Sequence, residues 1–198
     1  MPGSSHSRAS AFAANLVTLF LVLTAVFGVF VVAKGVAGAV TEDQDVAIHQ
    51  ELVLDDVDPL PPGTVEDQTI PVMVRVRDAS AEQSLYAMAR DLIPAALVFA
   101  VLWFLRAILG SVRDGDPFNR ANVRRLRAIG FVLLIGVPVA TVLNSGLEGA
   151  LSSTVGASGS GLALNLPTGG PIAALGIFVL AQVFADGIRL REDVEGTV

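Results

Sequence analysis

The sequence predicts a mainly α-helical membrane protein, a four-transmembrane-helix bundle with a small two-stranded β insertion, extracytoplasmic, between helices 1 and 2. Three observations carry that prediction. The chain is 53% hydrophobic with a mean hydropathy of +0.65, too apolar for an ordinary soluble domain. Its apolar residues gather into blocks near the ~20 residues of helix that cross a hydrocarbon core of roughly 30 Å. Between the first two blocks the chain turns acidic, proline-containing and alternating, which is the pattern of strands and not of a span.

The first span is assigned to residues 11–34, where Leu16, Leu19, Phe20, Leu21 and Leu23 are interrupted only by Asn15 and two threonines. A secretory signal peptide is the alternative, because Arg8 precedes the block and Ala37-Gly38-Ala39 resembles a small-residue cleavage site. Against cleavage, the apolar run is longer than a signal core of about 7–15 residues, and Lys34 separates it from the small residues. Cleavage would leave three spans.

Residues 35–79 form the extracytoplasmic segment. Val46, Ile48, Leu52 and Leu54 share one parity, and Ile70, Val72, Val74 and Val76 another, so two half-buried strands are predicted. The connector from Asp55 through Pro59, Pro61 and Pro62 to Gly63 breaks regular structure between them. Two strands alone are marginal in water, so the pair must pack on something else.

Residues 80–112 are a helix containing the second span, capped by Asp78 or Ser80 with Glu82 in its first turn. Pro94 lacks an amide donor and marks a place for a kink. A basic connector covers 113–127, the third span covers 128–150 with Pro138 inside it, and a Gly/Ser-rich loop covers 151–169. The fourth span, 170–189, has Pro171 suited to a first turn, and an acidic tail covers 190–198.

Orientation follows from the arginines. Arg113, Arg120, Arg124, Arg125 and Arg127 crowd the connector between spans two and three, which the positive-inside rule makes cytoplasmic. Four spans then put both termini in the cytoplasm and the protein in the plasma membrane.

Several function classes are excluded or disfavoured. There are no cysteines, so disulfides and thiolate chemistry are absent. A net charge of −6 opposes nucleic acid as a partner. Lys34 follows no phosphate-cradling glycine loop, and Gly156-Ala157-Ser158-Gly159-Ser160 lacks the second glycine of a nucleophile elbow. The clusters Asp43 with Asp45, and Asp55, Asp56 and Asp58, lack the spacing of a calcium loop. His6 and His49 stand alone, with His49 placed on the solvent side of its strand. No catalytic residue, metal or cofactor is expected.

Ionisable groups within spans are the default functional candidates, here Arg106, Glu148 and Asp186. Arg106 and Asp186 are expected to pair, the alternative being that each snorkels to its own interface. Glu148, with Asn144 and Ser145, reads as a solvated helix end in preference to a solute site. Gln182 suits interhelical hydrogen bonding.

The connector runs Gly115-Asp116-Pro117-Phe118-Asn119-Arg120-Ala121-Asn122-Val123-Arg124-Arg125-Leu126-Arg127. Gly115 and Pro117 make a tight exit from one helix, Phe118 can wedge into the interface, and Asn119 can cap the next. Arg120, Arg124 and Arg127 then share one helical face, while Val123, Leu126 and Ile129 or Gly130 share another. The basic face suits anionic lipid headgroups at ~1 kcal/mol per residue, or serves only to fix topology.

With its Gly-Asp-Pro-Phe turn, its Asn-x-Arg-Arg-Leu-Arg helix start and the tail Arg189-Leu190-Arg191-Glu192-Asp193, the chain resembles the bacterial domain-of-unknown-function 2975 family. The resemblance implies a small four-span membrane protein and names no catalytic residue. It also implies a membrane-side regulatory role, since some members are encoded beside small helix-turn-helix regulators. A regulatory, sensory or partner-binding protein is therefore expected, with a small-solute transporter or channel component as the alternative. Besides the lipid bilayer, its partner would be a second copy or a cytoplasmic regulator.

Overall fold

A computed structural model describes residues 4–42, 44–53, 69–155 and 167–195. The predicted class holds: the described residues are mostly helical, with four long apolar helices and one two-stranded sheet between the first and second among them. The predicted loop 55–63, the acidic residues Asp43, Asp55, Asp56 and Asp58, and the last three tail residues lie outside the described residues, as does the His49 side chain.

Helix α1 runs Ser4–Thr41, beyond the predicted span at both ends. Its threonines do not break it, because Thr18, Thr24 and Thr41 each donate their hydroxyl to the carbonyl four residues back. At Thr18 and Thr24, within the apolar block, such back-bonding satisfies a hydroxyl that has no water to turn to. Leu19, Phe20, Leu23, Phe27 and Phe30 of α1 are all about half exposed or more. Apolar exposure on that scale is tolerated by lipid and not by water.

Strands β1 (Val46–Val53) and β2 (Thr69–Val76) pair antiparallel, with Val46 opposite Val76, Ile48 opposite Val74 and Leu52 opposite Ile70. The predicted parity is thus realised. Val46 and Ile48 are buried with Ala79 and Leu151, and Tyr86 packs on them. Complete burial of Ile48 contributes ~1.5–3 kcal/mol. This is the packing that a lone strand pair needs.

Helix α2 runs Ala81–Arg113 and continues through Pro94. Of the two predicted caps, Ser80 is used: its Oγ accepts from the Gln83 amide, and Gln83 Oε1 accepts from the Ser80 amide. Glu82 lies in the first turn as predicted, and Gln83 completes a reciprocal capping box with Ser80. Asp78 instead takes a positive φ of 51° in the turn from β2.

Helix α3 (Arg120–Phe131) passes without a break through a π-helical turn, Val132–Gly136, into α4 (Val137–Ser153). The third span therefore starts within the predicted connector. The Val137 amide reaches back to the Val132 carbonyl, one residue further than in an α-helix. Pro138 follows directly, and a widened turn accommodates a ring that has no amide to donate. Helix α5 runs Gly169–Glu195, with Pro171 in its first turn as predicted.

Contacts divide the chain into two compact units. A connector unit comprises Met1–Phe30, Ile93–Thr141 and Leu166–Val198, and a sheet unit comprises Val31–Leu92 and Val142–Asn165. In the connector unit, Gly130 allows α5 to approach α3 closely: a Cβ there would lie 2.7 Å from the Phe178 ring. In the sheet unit Gly38 does the same, pressed between Gln44 and Ser84. The small-residue run Ala37-Gly38-Ala39 thereby has a packing role within α1.

Candidate functional site

The most constrained part of the connector unit is the turn from α2 to α3. Gly115 takes φ +82°, a conformation costly for any residue with a Cβ. Asn119 caps α3 as predicted: its Oδ1 accepts from the Asn122 amide at 2.8 Å, and its Nδ2 donates to the Asp116 carbonyl at 2.6 Å. Beneath it lies Asn122, fully buried. The side-chain Nδ2 of Asn122 donates to the Pro117 carbonyl at 2.9 Å and to the Ser111 hydroxyl, which donates in turn to the Ile108 carbonyl. Asn122 Oδ1 accepts from Arg125 Nη1 at 2.8 Å, and the same nitrogen donates to the Ala107 carbonyl at 3.1 Å. One neutral side chain thus ties the end of α2, the turn and the first two turns of α3 together. Each such bond is worth about 1 kcal/mol net, and more is lost when its buried partner is stranded.

The rest of α3 is divided as the sequence predicts. Val123, Leu126, Ile129 and Gly130 are buried, and Arg120, Arg124 and Arg127 are exposed. The tail of α5 crosses this region with two ion pairs that the sequence did not suggest: Arg120 with Glu192 at 3.0 Å, and Arg191 with Asp116 at 3.2 Å. Phe118 packs on α5, its ring centroid 5.0 Å from that of Phe184 and its edge against Gly187.

The expected pair of Arg106 with Asp186 is not formed. Asp186 Oδ1 accepts instead from Gln182 Nε2 at 3.0 Å, one turn earlier on the same helix. An i,i+4 neighbour is always within reach, whereas a guanidinium on another helix has to be brought there. Gln182 is accordingly spent within α5 and not between helices. Arg106 lies in a cleft of about 520 Å³ lined by Asn15 and Thr18 of α1, Trp103, Arg106 and Arg113 of α2, and Arg125 of α3. Among the described residues Arg106 and Arg113 form no ion pair.

In the sheet unit the ionisable centre is Arg90. Its Nη1 donates to the Ala47 carbonyl of β1 at 3.0 Å and lies 3.8 Å from Glu148 of α4, while its Nε lies 3.2 Å from Asp91. Glu148 is therefore an ion-pair partner and not the freely solvated helix end that was expected. Nearby, Gln83 Nε2 donates to Thr154 Oγ1 at 2.8 Å. Among the described residues no group of His, Cys, Asp or Glu is arranged to hold a metal.

Sequence reasoning missed Arg90, Ser111, Asn122 and the convergence of Arg106 with Arg113. Asn122 had a signal: it shares the 122, 126, 129 spacing of the buried face, so it is a polar residue on an apolar stripe.

Helices Ala11–Thr41, Ala81–Arg113, Arg120–Ser153 and Gly169–Val194 are each long and apolar enough to cross a bilayer. Their exposed apolar flanks, with threonine hydroxyls of α1 bonded back to carbonyls of their own helix, define a multi-pass membrane protein. Residues 66–198 match the family described as "Protein of unknown function (DUF2975)", and the chain belongs to that family. The match takes in β2 and every later element, including the connector and the tail. No curated protein and no solved structure matches the chain.

Proposed function

We propose that the protein is a non-enzymatic membrane regulator of the plasma membrane, with both termini cytoplasmic, which docks a protein partner on the exposed face of α3. The supporting observation is the contrast between the two faces of that helix. One is held by Asn122 and its bonds, and the other presents Arg120, Arg124 and Arg127 to the surroundings. A row of guanidiniums carried on one helical face presents donors in a fixed spacing to an acidic surface. Glu192 of the tail already occupies Arg120, at side-chain exposures of 81% and 55% for the two groups. Such an exposed pair is worth about 0–1 kcal/mol and is readily exchanged for a partner's carboxylate.

The absence of cysteine makes a direct test simple. A single cysteine at Asp114 should label only from the cytoplasmic side, and one at Arg77 only from outside. A photo-crosslinker at position 121 should trap a cytoplasmic protein in native membranes, and Arg124→Glu with Arg127→Glu should abolish the adduct. Solute flux in liposomes that is lost on Glu148→Ala would favour the transporter reading. An unchanged adduct in the charge-reversed variant would sink the docking surface.

A further inference from the structure

The geometry points to a second, separate site: the cleft between α1, α2 and α3 holds the phosphate headgroup of an anionic phospholipid. It rests on the multi-pass membrane reading and is independent of protein docking on α3. Three guanidiniums, Arg106, Arg113 and Arg125, line one cleft of about 520 Å³, and no acidic side chain lines it. Arg106 and Arg113 are both exposed, and like charges gathered on one surface cleft without a counter-ion attract an anion, while span arginines ordinarily pair or reach the interface. Among the described residues Arg106 and Arg113 pair with nothing. An anion from outside the chain therefore completes the arrangement.

The remaining lining says which anion. Arg125 is held by Asn122 Oδ1 and the Ala107 carbonyl through Nη1 alone, leaving the rest of its planar fork for a ligand. On the α1 side, the Asn15 amide makes no hydrogen bond among the described residues, and Thr18 Oγ1 keeps its acceptor lone pairs after donating to Ala14. Donors and acceptors together suit a phosphodiester bearing a hydroxylated headgroup. Trp103 and Phe104 supply an apolar wall beside them, with Trp103 half exposed. A polar pocket walled by exposed aromatic surface on a span fits a lipid whose acyl chains run along the helices, better than it fits a freely soluble anion.

The test is native mass spectrometry of the intact chain in zwitterionic detergent, titrated separately with phosphatidylglycerol, phosphatidylcholine and inorganic phosphate. Phosphatidylglycerol should bind about tenfold more tightly than phosphatidylcholine, as expected for two or three basic groups near an anionic headgroup. Inorganic phosphate at matched concentration should not displace it. The Arg106→Gln, Arg113→Gln double variant should lose most of that preference. Arg106→Lys with Arg113→Lys, which keeps the charge, should retain at least half of it and thereby exclude misfolding as the cause. Arg124→Gln with Arg127→Gln should retain it in full. Equal binding of the two lipids, displacement by inorganic phosphate, or an equal loss in the Arg124 and Arg127 variant would overturn the proposal.

Discussion

Arg90 and Arg106 lie on the same helix and meet opposite surroundings. Around Arg90 the protein supplies the negative charge: Asp91 and Glu148 flank it, and the Ala47 carbonyl takes a third contact. Around Arg106 it supplies more positive charge, from Arg113 and Arg125, with no carboxylate in the lining. The first arrangement is complete within the chain and serves to hold β1, α2 and α4 of the sheet unit. The second is complete only with a ligand. Arginine content alone does not separate these cases; the identity of the neighbours does.

Three variants would break or sharpen that contrast. The largest effect belongs to Asn122, which positions Arg125 for the cleft. Asn122→Leu strands the Pro117 carbonyl, the Ser111 hydroxyl and part of Arg125, and should cost about 3 kcal/mol in reversible unfolding from mixed micelles. Arg90→Leu should cost about 2 kcal/mol in the same assay, a figure already reduced because Glu148 and Asp91 are more than a third exposed. That loss should be the same with or without anionic lipid. Arg106→Gln with Arg113→Gln should change stability by less than ~0.5 kcal/mol in neutral detergent, yet remove the stabilisation that added anionic lipid gives the unaltered chain. If Arg90→Leu were the lipid-sensitive variant, the contrast would be reversed.

How much of this was legible in the sequence depends on the range of the interaction. Strand parity at Val46, Ile48, Val74 and Val76, the Asn119 cap, and the division of α3 into basic and buried faces are local or periodic, and the sequence displays them directly. The tail pairs Arg120–Glu192 and Arg191–Asp116 join residues far apart in the chain, and periodicity carries no information about them. The same holds for Arg90 with Glu148. The mistaken pairing of Arg106 with Asp186 arose from weighing charge and depth without the competitor on the same helix, Gln182. The cleft is the least legible feature, since it needs Asn15, Arg106 and Arg125 from three helices to meet.

The chain's single tryptophan, Trp103, lines the cleft and reports on it directly. The decisive measurement is quenching of Trp103 fluorescence by brominated phosphatidylglycerol and by brominated phosphatidylcholine, in vesicles of the two lipids mixed. Headgroup binding beside Arg106 and Arg113 predicts markedly stronger quenching by the anionic lipid, reduced to parity by Arg106→Gln with Arg113→Gln. Equal quenching by the two lipids in the unaltered chain would contradict it.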